Sequence, residues 1–282
     1  MALEMYSIEQ MSFEDLERAV DWAANEGWNP GLYDAGCFYA TDESGFLKGV
    51  LNGQMIASVS VVKYDLAFAF LGFYMVKPGY RGQGYGYLLW EEAMGDVKGY
   101  NVALDGVVDQ QSNYKKSGFQ PAHRNIRFKG VKREHSPSTK TIGLNEVPFQ
   151  QLLAYDRRYF PADRTRFLKL WISQPQTKAL GIVNENELEG YGVIRKCRQG
   201  YKIGPLFAQD GEKAMGLIQG LISDLTEGEG FFLDIPEVNK EAHVITQALS
   251  MESCFETARM YTQKAPDIDL SKIFGITSFE LG

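Results

Sequence analysis

The chain has 282 residues, of which 44% are apolar, 13% aromatic and 23% charged, with 29 Gly against 10 Pro. This is enough nonpolar material for about two packed domains, and it excludes a disordered or fibrous protein. A net charge of −7 gives phosphate backbones no overall attraction, so a general nucleic-acid role is disfavoured; the acidity reads first as solubility and only loosely as a match for an amine.

Ser12 followed by Asp15 signals a helix start, and Leu16, Ala19, Val20 and Ala23 continue it at helical spacing until Gly27, predicting a helix over Phe13–Asn25. Trp28, Asn29, Pro30 and Gly31 form a breaker cluster. Two runs with strand character, residues 47–51 and 55–63, flank Asn52-Gly53 and predict a hairpin. Residues 66–76 are apolar throughout and predict a central strand covered on both faces. Lys77, Pro78, Gly79 and Tyr80 end it, and Arg81-Gly82-Gln83-Gly84-Tyr85-Gly86 leads into a helix with Tyr85, Leu88, Leu89 and Ala93 inward. A strand at residues 102–104, a helical piece at 112–117 and a strand at 123–128 follow.

Residues 129–141 turn basic and polar, through Lys132, Arg133 and Lys140, and place a domain boundary between residues 133 and 134. Residues 134–282 repeat the grammar of residues 1–133. A helix at 149–156, a hairpin at 179–195 turning at Glu185-Asn186, a strand ending at Gly204-Pro205, a helix striped by Ala214, Leu217, Ile218 and Leu221, and a strand at 231–233 come in order. Leu104-Asp105 is echoed by Leu233-Asp234, and Gly118-Phe119 by Cys254-Phe255, which supports duplication of one fold.

Cys37, Cys197 and Cys254, like His123, His135 and His243, are scattered, so neither a metal site nor a Cys/His pair assembles from spacing. Three unpaired cysteines and an amino terminus carrying Glu4 with no apolar core predict a cytoplasmic chain. The most apolar run is about eleven residues where a membrane helix needs about twenty.

A strand stopped at a Pro-Gly bend, then a glycine loop, then a helix offers backbone N–H groups at the positive end of the helix dipole, a geometry that holds a pyrophosphate. Gly82, Gly84 and Gly86 let the phosphate approach, and Arg81 adds charge at the rim. The spacing fits neither a Walker loop, which needs Lys-Ser or Lys-Thr after its last glycine, nor a dinucleotide fingerprint.

The run from Val76 to Gly86 resembles the acyl-CoA motif of the Gcn5-related N-acetyltransferases, the GNAT superfamily, with Arg81, Gly84 and Gly86 at its signature positions. Tyr114-Lys115-Lys116-Ser117-Gly118-Phe119 resembles the family's Tyr-x-x-x-Gly-Phe segment. The resemblance implies an α/β fold of tandem GNAT-like domains, each a mostly antiparallel sheet flanked by helices, the second degenerate. It implies that Gly82, Gln83, Gly84, Tyr85, Gly86 and Tyr87 cradle the CoA pyrophosphate while Tyr74, Met75 and Val76 pair with the pantetheine arm.

By the same resemblance Tyr114 is the general acid for the leaving thiolate, and Trp28 and Asn29 line the acceptor pocket. The central strand carries no Glu, which leaves Asp105 as the candidate to orient or deprotonate the amine, with Asp109 behind it, beside an equal reading of Asp105 as a turn cap. Residues 203–211 keep neither the Arg nor the spaced glycines, so no second CoA site of this kind is expected. Asp234, Arg259 and Tyr261 are candidates to close the acceptor site from the second half, which otherwise serves as scaffold.

The implied activity is acetyl transfer from acetyl-CoA to a primary amine of a small molecule or peptide, by direct attack in a ternary complex and without a metal. Two alternatives stay open: a different acyl donor, or a non-catalytic acyl-CoA sensor. The sequence assigns no oligomeric state and implies neither nucleic-acid nor membrane partners.

Overall fold

The computed structural model describes residues 5–65, 67–134 and 140–282. Leu66, at the start of the expected central strand, Glu4, His135 and residues 135–139 of the expected boundary segment lie outside the described residues. The first half runs β1 (Tyr6–Gln10), α1 (Phe13–Asn25), α2 (Asp34–Thr41), β2 (Phe46–Leu51), β3 (Gln54–Lys63), β4 (Phe68–Val76), α3 (Tyr85–Gly95), β5 (Asn101–Val107), α4 (Gln111–Lys116) and β6 (Gln120–Val131). The second runs β7 (Ile142–Gly143), α5 (Phe149–Asp156), α6 (Thr165–Trp171), β8 (Thr177–Asn184), β9 (Glu187–Lys196), β10 (Tyr201–Ala208), α7 (Gly211–Leu221), β11 (Gly230–Pro236), α8 (Lys240–Ala248), β12 (Glu252–Tyr261) and β13 (Ile273–Gly275).

Local signals set most of these elements. Ser12 and Asp15 form a reciprocal capping box at the start of α1, whose apolar stripe buries Leu16, Ala19, Val20 and Ala23. Asn52 and Gly53, both at positive φ, make the β2–β3 turn. Two expectations need correction. In α3 it is Leu89, Trp90 and Ala93 that are buried, while Leu88 faces solvent. β10 does not stop at Gly204-Pro205 but continues to Ala208, because the ladder to β9 skips at this point, where a proline needs no partner for a missing N–H.

The two halves share one sheet, ordered β1-β2-β3-β4-β5-β12-β6-β11-β10-β9-β8-β7, with β13 added against β10. Among the described residues only β4–β5 and β10–β11 pair in parallel. β6 and β12 have crossed over between the halves. β12 pairs with β5 and β6, and β6 pairs with β12 and β11, so the strands of each half are continued by a strand of the other.

Two ion pairs fix this register. Arg127 of β6 lies opposite Asp234 of β11 and binds it through Nε and Nη2 at 2.7 Å each. Arg259 of β12 lies opposite Asp105 of β5 and binds it at 2.9 and 2.8 Å. A one-residue slip would leave four buried charges unpaired.

We propose residues 1–133 and 134–282 as two domains in sequence that fold as one body. Expressed alone, residues 1–134 lack β12 and are expected to aggregate or dimerise by strand exchange. Co-expressed with residues 140–282 they are expected to elute as a 1:1 complex of full-length mass by size exclusion with light scattering. Two independently monomeric halves would contradict this.

Candidate active site

β4 and β5 share ladder rungs only from Phe68–Asn101 to Leu71–Leu104. Beyond them β4 bends: Phe73 sits at φ +48, the β3–β4 register shifts between Ser58 and Ser60, and the Ser58 hydroxyl donates to the Phe73 carbonyl at 2.7 Å. β4 stays on β3 as far as the Val76–Ala57 rung, so the backbone at Tyr74, Met75 and Val76 faces a gap toward β5. A cleft of about 530 Å³ opens there, bordered by Tyr74, Met75, Val76, Arg81, Gly82, Gly84, Gly86 and Tyr87. An inner cavity of about 60 Å³ shares Trp28, Tyr74, Val107 and Gln110 with it, so the two adjoin.

The glycine loop forms the cleft's outer rim. Gly82 and Gly84 sit at φ +75 and +90, where a side chain is strained, and a Cβ on Gly86 would lie 2.8 Å from Val76 Cγ2, so α3 presses directly on β4. Gly84 is the N-cap of α3 and has no side chain to cap it; among the described residues nothing accepts from the N–H groups of Gly84, Gly86 or Tyr87. Arg81 donates through Nε to the Val76 carbonyl at 2.7 Å and through Nη2 to Glu26 at 2.5 Å. Gln83 donates to the Gly79 carbonyl, and Tyr85 packs against Tyr6.

Tyr114 closes the inner end. It is 8% exposed, stacked on Trp90 with ring centroids 5.6 Å apart, and fits because Gly106 has no Cβ to meet its ring. Burial pushes its phenol well above the ordinary tyrosine range, with Tyr74 adding to the effect. It therefore stays protonated through neutral and moderately alkaline pH.

The Asp105 side chain is buried and borders the same cavity, but both its oxygens are taken by Arg259, and Asn125 Nδ2 donates to Oδ1 at 2.8 Å. The Asp105 carboxylate is thus engaged by three charge-assisted or amide bonds. Asp109 borders the outer cleft. Behind the ion pair, Arg259, His123 and Tyr261 line a second cavity of about 250 Å³. Burial, with Arg259 next, pulls the His123 imidazolium down to about 4.

Of the two loop residues expected at the acceptor pocket, Trp28 borders both the cleft and the cavity. Its carbonyl accepts from Arg127 Nη1 at 2.7 Å and Lys202 Nζ at 3.3 Å. Asn29 borders neither; its amide clasps the Gln199 backbone through both carbonyl and N–H at 3.0 and 2.9 Å, tying the loop to the second half. Sequence reasoning missed Phe255, Thr257 and Phe279, which line the inner cavity from the second half. Strand periodicity over residues 252–261 is the signal that could have placed the first two.

Among the described residues, the equivalent position in the second half is covered. β10 and β11 part after Ile203–Leu233, but β13 lies against β10 from Leu206 onward. The start of α7 is already occupied, as Asp210 caps the Lys213 amide and Glu241 takes the Gly211 amide. Residues 276–282 then run, fully buried, to β4, where the Glu280 carbonyl fills the space a Gly72 side chain would need. Among the described residues no helix is long and apolar enough to cross a membrane.

Family comparison agrees with this layout. Residues 3–119 match the model described as the acetyltransferase (GNAT) family, and residues 152–275 match one described as an acetyltransferase (GNAT) domain. A holothin acyltransferase from Pseudoalteromonas sp. (strain SANK 73390) is 31% identical over 96% of this chain and 92% of its own. The chain belongs to the GNAT acyltransferases, in a tandem arrangement. A putative acetyltransferase from Pyrococcus horikoshii shares the fold over 100% of this chain and 98% of its own, with TM-score 0.85 at 20% identity. A tandem GNAT protein from the clavulanic acid biosynthesis pathway matches over 93% and 100%, with TM-score 0.62 at 13% identity.

Two outcomes are expected of this tandem GNAT site. Arg127→Met strands Asp234 in the core and is expected to cost about 3–5 kcal/mol in urea unfolding, most of it recovered by adding Asp234→Leu; an unchanged midpoint would remove the pair from the account. His123 binds a proton below about 6.5 when unfolded but only near 4 when folded. Its contribution is therefore fully present above pH ~6.5 and is lost as pH falls toward 4. His123→Gln is expected to flatten the stability–pH curve in that window.

Proposed function

We propose that this protein transfers an acetyl group from acetyl-CoA to a primary amine by direct attack in a ternary complex. One observation carries the reading: the β4 backbone and the uncapped start of α3 border a cleft that adjoins the cavity bordered by the buried Tyr114. Acyl-CoA suits that cleft chemically. The amides around Gly82, Gly84, Gly86 and Tyr87 meet the pyrophosphate at the helix's positive end. The β4 backbone at Tyr74, Met75 and Val76 takes the place of a missing strand partner for the pantetheine amides. Arg81, braced by Glu26, holds the loop against β4.

An amide beside Val76 polarises the thioester carbonyl as the amine attacks. The carbon–sulfur bond breaks, Tyr114 gives its proton to the departing sulfur, and the proton shed by the nitrogen passes to solvent, from which the Tyr114 oxygen is reprotonated. Asp105 positions Arg259 and the β5–β12 edge of the site. An inner cavity of about 60 Å³ is roughly two waters' worth of space, which favours acetyl or a similarly short acyl group over long chains. The relative named as a holothin acyltransferase supports acyl transfer as the reaction. Cys37, Cys197 and Cys254 are all free thiols, in keeping with a cytoplasmic chain.

Tyr114→Phe is expected to lower kcat by about 10²-fold while leaving the KM for acetyl-CoA within about 3-fold, measured by thiol release. Because the phenol stays protonated, the wild-type rate should show no alkaline fall below about pH 9. Undiminished turnover of the variant would remove Tyr114 from the proton path, and failure of calorimetry to detect acetyl-CoA binding would remove the transferase reading.

A further inference from the structure

The second half keeps a cavity at the position that matches the site of the first. Arg127 opposite Asp234 corresponds to Arg259 opposite Asp105, and the last shared rung Ile203–Leu233 corresponds to Leu71–Leu104. Counted from those rungs, Phe207 stands where the first half has Met75, Pro236 where it has Val107, and His123 where it has Phe255. Met75, Val107 and Phe255 border the cleft or the inner cavity, and Phe207, Pro236 and His123 line the cavity of about 250 Å³. The α5–α6 loop supplies Phe160 to that cavity as the α1–α2 loop supplies Trp28 to the first. Ile273 lines it too, so the strand that covers β10 is one of its walls.

The space is built in advance and stands apart from the acyl-CoA cleft. Among the described residues it shares no lining with the cleft or the inner cavity. The Phe160 ring is fixed by the Arg164 guanidinium, 4.1 Å from its centroid, and by Tyr64 edge-on at 4.8 Å. Ala265 at the edge is exposed and Ile268 half-buried, which gives a small molecule a way in. The volume is about eight waters' worth of room behind mostly apolar walls, the composition of a small-molecule pocket.

Polar chemistry in the lining is sparse. Arg259 spends Nε and Nη2 on Asp105, which leaves Nη1 and the neighbouring Tyr261 hydroxyl as donors at the wall. No side-chain carboxylate lines the cavity, so a cation would meet Arg259 without a counter-charge. Asp105 already balances Arg259, so an anion would add an uncompensated charge among apolar walls. An uncharged ligand avoids both costs.

We propose that this cavity is a second ligand site, for a small uncharged molecule with an apolar body and one carbonyl oxygen that accepts a hydrogen bond from the Arg259–Tyr261 pair. The second half has then lost the donor end of a GNAT site and kept its small-molecule space. The site rests on its own lining and not on the transferase reading.

Calorimetry on the full chain near neutral pH tests it with three probes of similar shape: acetophenone, benzoate and benzylamine, which are uncharged, anionic and cationic there. Acetophenone should saturate one site with a Kd at or below about 1 mM, and the other two should bind about 10-fold more weakly or worse. Saturating acetyl-CoA should leave the acetophenone Kd within about 2-fold. Amide hydrogen exchange should place the new protection at residues 265–270 and not at 82–87. Ile268→Trp, which fills the mouth, should weaken acetophenone by about 10-fold or more and leave acetyl-CoA binding unchanged. Absence of saturable acetophenone binding, equal binding of the three probes, protection at residues 82–87, or an Ile268→Trp chain with an unchanged Kd would overturn the second site and leave the acetyl-transfer reading intact.

Discussion

Everything in this molecule depends on the reciprocal exchange of β6 and β12 between its halves. Neither half of the sheet closes on itself, and the exchange is locked by charge. Asp105 with Arg259, Arg127 with Asp234, and Asp34 with Arg195 each join a residue of the first half to one of the second, all with side chains at most 11% exposed. Buried pairs gain little net stability over apolar packing, yet they are severe about register, because any other pairing strands a charge. Their worth here is in specifying one strand order out of several that hydrophobic patterning alone would allow.

That order builds the active site. Bringing β12 beside β5 delivers Phe255 and Thr257 to the inner cavity, and bringing β6 beside β11 delivers Arg127 to Trp28 and Phe279. The carboxyl-terminal segment does two jobs at once. β13 lies along β10 where the second half would otherwise open, and the chain then continues to β4, where it presses on Gly72 and adds Phe279 to the cavity wall. The degenerate half is therefore a sealed copy whose spare edge supports the working one.

How much of this could be read in the sequence follows from the range of each interaction. The α1 capping box, the Asn52-Gly53 and Glu185-Asn186 turns and the glycine loop are local, decided by residues within a few positions, and the chain announces them. The Leu104-Asp105 and Leu233-Asp234 echo was legible too, and it falls on the equivalent strands β5 and β11. Strand exchange was not legible, because β6 and β12 carry the same alternating pattern whichever neighbour they choose. Asp234 and Arg259 stand in the sequence as candidates to close the acceptor site, but their ion-pair partners lie 107 and 154 positions away. Asp105 looked available as a base for the same reason: nothing near it in sequence hints that Arg259 will occupy it.

The central claim is that one cleft, between β4 and β5 of the first half, receives the acyl donor and that its counterpart is closed. Amide hydrogen exchange with and without acetyl-CoA tests it most directly. The account predicts new protection at residues 74–76 and 82–87 and none at residues 203–211. Protection confined to residues 203–211, with the glycine loop exchanging as before, would contradict it.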